Sequence, residues 1–320
     1  MQLTSVQVVP GIVYPIIAVF DLPACLISIL VFWKGNLELS KSTAYYIIAI
    51  TAASFLLMLS VIVFRDIYYY NIDGLISWPN AFCGISNLIY FFAVYSVSWQ
   101  TVAFTFDRFV MVCCGRLRMY YCTDRTSVIV IVCVYGGALL AAIPTLYMYQ
   151  MQPSAVANNT LICVLRKDLD QVPLLGAYDS IQTVFWNILP IAIIVFLNFF
   201  TGRVVYLSNK TRNNLKGEGK EDPEAAKRIR SVILLGIISA GFLLHNIPKM
   251  VIKIVERSAY LKNFDRNDFT HPVAITRIIA NMLLIFCSIT DLCLFTLIMP
   301  KFREEIKRGI RYFVSFSTKH

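Results

Sequence analysis

The chain has 320 residues, 58% of them hydrophobic and only 15% charged, with a net charge of +10. Exposing that much hydrocarbon to water would cause aggregation, which excludes a water-soluble domain of this size and makes lipid the expected solvent. The excess of Lys and Arg lies between apolar segments, where it marks a membrane face and not a nucleic-acid surface.

Low-charge windows of the length a bilayer needs, about 20 residues, recur seven times along the chain. The first span is expected over 13–32, behind a short amino end at 1–12, and is broken only by Asp21. An acid inside a span should face the bundle, because lipid cannot solvate it. The second span is expected over 44–64, and the third comes from a stretch with no charge between Gly74 and Phe106. The fourth lies within the uncharged window 126–165 and ends near Pro144; the fifth, 180–202, carries Pro190 at its centre. A polar, basic loop follows, then a sixth span over 231–255 that should bend at Pro248. The seventh, 278–300, contains only Asp291.

The fold class is therefore an all-α membrane protein, a seven-transmembrane helix bundle occupying 13–300. Over 301–320, Phe302, Ile306, Ile310 and Phe313 fall on one face among Lys, Arg and Glu. That pattern predicts a short amphipathic eighth helix lying in the interface, followed by a short cytoplasmic tail. Most of the 29 basic residues sit at 34–41, 108–125, 203–230 and 301–319. These segments share one side if the amino terminus is extracellular, which sets the orientation in a plasma membrane. Of nine cysteines, that topology leaves only Cys83 and Cys163 outside. Asn158-Asn159-Thr160 is a glycosylation sequon on the same side, with Asn158 as the acceptor.

Two features bracket the third span. Cys83 stands near its start and Asp107-Arg108-Phe109 at its end. On a helix Cys83 and Asp107 are roughly 36 Å apart, about one membrane with its interfaces. With Pro144, Pro190, Phe242, Pro248 and Asp291 in the later spans, the chain resembles the rhodopsin-like (class A) G-protein-coupled receptors over essentially its whole length. The resemblance implies a Cys83–Cys163 disulfide, the same pair that the topology places outside. It also implies coupling to a heterotrimeric G protein through Asp107, Arg108 and Phe109, and an activation switch at Phe242, Asn246, Pro248, Asp291 and Phe295.

The sequence departs from the family pattern at several positions. Cys25 and Ser54 stand where the family has Asn and Asp in its first two helices, and the fourth-helix Trp is missing. Asn246 replaces the sixth-helix Trp, and the seventh-helix Asn-Pro-x-x-Tyr reads Asp291-Leu292-Cys293-Leu294-Phe295. Arg228 and Arg230 occupy the base of the sixth span, where the family carries an acid that pairs with the third-helix arginine. Within the class, Ile279-Ala280-Asn281-Met282-Leu283, Pro248-Lys249 and Phe302-Arg303 look most like the orphan-type group responsive to aromatic amino acids.

An extracellular small-molecule or peptide ligand is expected among the outer halves of the third, fifth, sixth and seventh spans. Lys249 and Lys253 are four apart and share a helical face, and Arg277 lies near the outer end of the seventh span. Facing inward, they make a basic pocket that favours an acidic or aromatic amino-acid-like or peptide ligand. Tyr90, Phe91, Phe185 and Trp186 would add apolar area, and Gln182 and Asn281 hydrogen bonds. Tyr90 stands where amine receptors carry aspartate, which argues against a biogenic amine, and no lysine between Lys262 and Lys301 is available to hold retinal. The histidines, His245, His271 and His320, are scattered, so no metal, no cofactor and no enzymatic constellation is expected. The partners are then a G protein, a ligand and membrane lipid, with no nucleic acid. A seven-helix transporter or channel, with Asp21, Asp291, Arg65 and Arg277 along its path, is the alternative, as is a degenerate receptor with weak signalling.

Overall fold

The computed structural model describes residues 5–34, 37, 39–62, 79–153, 161–166, 173–215, 223–257 and 272–317. Asn158, residues 63–78 and residues 216–222 lie outside the described residues, as do His271 and His320. In chain order the helices are α1 (Ser5–Trp33), α2 (Lys41–Ser60), α3 (Pro79–Cys113), α4 (Gly115–Tyr121), α5 (Asp124–Ala142) and α6 (Thr145–Met148). An antiparallel hairpin, β1 (Tyr149–Pro153) and β2 (Leu161–Leu165), comes next. Then follow α7 (Pro173–Thr183), a π-helical turn (Val184–Ile188), α8 (Leu189–Leu215), α9 (Pro223–Arg257), α10 (Pro272–Ile285), α11 (Cys287–Ile298) and α12 (Pro300–Ser317).

Six spans among the described residues are each long and apolar enough to cross a membrane, and α10 with α11 makes a seventh, bent by 43° near Phe286. The result is a seven-helix bundle whose outward side chains are apolar: Phe20, Leu140, Phe199 and Leu297 are all more than 60% exposed. Only lipid solvates such a surface. Asp21, in contrast, is 1% exposed, and the Cys25 thiol reaches its carboxylate at 3.8 Å.

Several boundaries differ from the sequence reading. The first helix begins at Ser5, ahead of residue 13, because the uncharged run before Val13 continues the helix. The loop between the third and fourth spans contains a helix, α4, and the fourth span starts where Thr123 accepts a hydrogen bond from the Thr126 N–H at 3.2 Å. Pro190 has no N–H to give the Trp186 carbonyl, and just before it the ladder widens to a π turn closed by the Leu189 N–H on Val184. Asn187 reinforces that turn, donating from Nδ2 to the Gln182 carbonyl at 3.3 Å.

The Cys83 end of α3 is pinned by covalent and close contacts. Cys83 and Cys163 form a disulfide, with Cys163 opposite Met151 in the hairpin. The Met151 N–H donates to Asn80 Oδ1 at 3.0 Å. Gly84 lets α3 pass under α6, where an added Cβ would come within 2.8 Å of the Leu146 carbonyl oxygen. At the other end, Phe302 of α12 is fully buried against Phe32 and Phe295. Glu305 is also on the buried side of α12, 7% exposed, and accepts from Arg308 Nη1 at 2.8 Å. The apolar pattern of that helix gave no hint of it.

Candidate functional site

Three groups of residues lie along α3 and the helices packed on it. At the end opposite the disulfide, Asp107 and Arg108 are 0% and 1% exposed. Arg108 donates to Asp107 Oδ2 through Nε at 3.0 Å and again through Nη2, so the pair is bidentate on the arginine side. Its Nη1 reaches the Met111 sulfur at 3.5 Å, and its guanidinium carbon sits 5.7 Å from the Phe104 ring centre. Charges this dry persist only when paired and packed. Phe109 is half-buried and touches Phe106, whose edge meets Tyr121 at 5.4 Å. The Cys122 thiol donates to the Asp107 carbonyl at 3.5 Å. Burial, and then the nearby Asp107 charge, pushes that thiol up to about 12; the same two causes raise Tyr121.

The second group couples α9 to its neighbours. Phe242 is 3% exposed in a cluster with Ala53, Val97, Ile191 and Ile194. Pro248 interrupts the α9 ladder, and polar side chains bond back to the turns before it. Asn246 Nδ2 donates to the Phe242 carbonyl at 2.9 Å, and His245 Nδ1 lies 2.6 Å from the Gly241 carbonyl. Asp291 lies against Gly241: a Cβ there would be 3.0 Å from Asp291 Oδ1. Phe295 packs in a triangle with Phe32 and Phe302, at 5.3 and 5.7 Å. Gly241→Ala is therefore expected to cost about 1 kcal/mol by overpacking. Its thermal midpoint in detergent should fall, and Asp291→Ser in the same chain should recover part of the loss. An unchanged midpoint would show that the carboxylate simply turns aside.

The third group is at the disulfide end. Lys249 and Lys253 both turn from α9 toward α3. Lys249 Nζ donates to the Tyr90 hydroxyl at 3.2 Å and stands 5.4 Å from that ring's centre. Lys253 Nζ stands 6.0 Å over Phe91, and Phe91 meets Tyr90 edge-on at 5.3 Å. Gln182 is 2% exposed and donates to the Tyr95 hydroxyl, while Trp186 stacks on Tyr95 at 4.3 Å. Gln182 and Trp186 are thus engaged with α3 in this conformer. The sequence reading missed Tyr95 and Trp99, which complete the aromatic wall with Phe185 and Trp186. Their spacing from Phe91, four and eight residues on one helix, was the available signal. Arg277 and Asn281, four apart on α10, are half-buried. Among the described residues no group of His, Cys, Asp and Glu could hold a metal ion.

The arrangement brings a cluster of lysines and aromatic rings and a buried ion pair to opposite ends of one helix. A family model for the 7 transmembrane receptor (rhodopsin family) matches residues 25–291, from Cys25 in α1 to Asp291 in α11. No curated protein matches the chain.

Proposed function

This chain belongs to the rhodopsin family of seven-transmembrane receptors, and from that membership we propose that it converts binding of an acidic or aromatic amino-acid-like or peptide ligand into G-protein activation. The observation that carries the reading is the dry Asp107–Arg108 pair, 0% and 1% exposed at the end of a helix whose other end is tied by sulfur to a hairpin. In the proposed orientation the disulfide end is extracellular, with residues 1–12 outside, the receptor domain over 13–300, and 301–320 on the cytoplasmic face of the plasma membrane. Asn158 carries glycan. The ligand enters beside Tyr90, Phe91, Lys249 and Lys253, reaching toward Gln182, Trp186, Arg277 and Asn281. Its binding favours a conformer in which α9 swings outward about Pro248, with Phe242, Asn246, Asp291 and Phe295 repacking, and Arg108 leaves Asp107 for the G protein. This is a population shift and not catalysis. The responsive ligand class is that of the aromatic amino-acid group.

A panel of amino acids and short peptides, scored by nucleotide exchange on G proteins and by solute flux in the same cells, tests the proposal. Exchange without flux supports a receptor; flux without exchange overturns it. Lys249→Ala is expected to weaken an acidic agonist about 10- to 100-fold, the loss of one charge-assisted contact. An unchanged response would remove the acid from the ligand's description.

A further inference from the structure

Lys249 is an ammonium inside a membrane span, and no ion pair among the described residues includes it. Its hydrogen-bond acceptor is a neutral phenol, Tyr90 Oη at 3.2 Å. A neutral hydroxyl partly replaces hydration but leaves the charge uncompensated, so a carboxylate is the better partner by a wide margin in a low-dielectric recess. The same contact joins α3 to α9. At the opposite end Arg108 is held by Asp107, its own neighbour on α3.

We infer that the Tyr90 hydroxyl is the resting occupant of an anion subsite on Lys249, and that the α3–α9 tie it makes restrains the chain until a ligand carboxylate displaces it. The inference rests on the receptor reading and names how its ligand site is regulated. The displacement is an exchange of hydrogen-bond acceptors: Lys249 keeps its proton, and the freed hydroxyl is left to donate to the arriving carboxylate. Lys253 over Phe91 stands on the adjoining ring and follows the same movement of α9.

Tyr90→Phe keeps the ring under Lys249 and removes only the oxygen. In full-length protein in nanodiscs, hydrogen–deuterium exchange over 223–240 should rise about five-fold in this variant without any ligand, the population change expected for one lost hydrogen bond. G-protein nucleotide exchange per folded receptor should rise by the same factor. Potency of an aromatic amino acid should improve, while that of its primary amide should not. Lys249→Met should also loosen 223–240, and the Tyr90→Phe, Lys249→Met double variant should be no looser than Lys249→Met alone. Additive effects would show that Tyr90 acts elsewhere. Should no G protein respond to any form while 223–240 still loosens, the restraint stands and the signalling reading fails. Unchanged exchange over 223–240 in a folded Tyr90→Phe protein overturns the inference.

Discussion

Arg108→Ala is expected to abolish ligand-driven nucleotide exchange while leaving ligand binding within a few-fold of the parent. The guanidinium lies at the inner end of α3 in the proposed orientation, far from Lys249, so its loss should not reach the proposed ligand site. It has a second, structural consequence. Asp107 is 0% exposed, and removing Arg108 strands its carboxylate in a dry site. Breaking one side of a buried pair costs about 3–5 kcal/mol, enough to lower surface expression. The two effects separate in the double variant Asp107→Asn, Arg108→Ala, which removes the stranded charge. Expression and thermal midpoint should recover; coupling should not. If the double variant signals like the parent, Arg108 is a packing residue and the proposed coupling site is wrong. Asp107→Asn alone should leave Arg108 in place but less firmly held, and raise ligand-free activity.

The second large effect is at the other end of α3. Cys83→Ser or Cys163→Ser is expected to remove most ligand affinity and a large part of the stability. The disulfide closes 80 residues of sequence. In the chain-entropy account a loop of that length is worth about 4.5 kcal/mol. That is an upper bound here, because the spans already confine the ends of the loop. The local consequence is more direct. The bond holds β2 at the start of α3, and Asn87 Nδ2 bridges the Cys83 carbonyl and the Cys163 sulfur at 2.9 and 3.1 Å. Surface expression, thermal midpoint and agonist affinity should all fall, and the double serine variant should match either single one. Full affinity in the single variants would mean that the hairpin is held by Met151–Asn80 and its own ladder alone.

Much of the candidate site is legible in the sequence. Asp107, Arg108 and Cys83 announced themselves because a charge-free stretch of membrane length separates them, and Pro190 and Pro248 because each removes a backbone donor from a helix. Lys249 and Lys253 could be placed on one face of their helix. Whether that face met lipid headgroups or α3 depended on how α9 is rotated in the bundle. Gln182 and Trp186 read as ligand groups because a polar and an aromatic residue in an outer half-span fit that role. Their engagement with Tyr95 is a contact between two spans, which only the packing of one on the other decides.

By itself the sequence determined the number of spans, their apolar surfaces, the end of α3 that carries charge and the cysteine near its other end. These are properties of each segment's own length and composition set against a bilayer, and no neighbour is needed to read them. Only the tertiary structure decided that Lys249 meets the Tyr90 hydroxyl, that Glu305 is buried, that Gly241 makes room for Asp291 and that α4 is helical. Each of these depends on which surfaces of two or more elements come together, where the cost of a buried polar group or an added methyl is set by atoms remote in the chain.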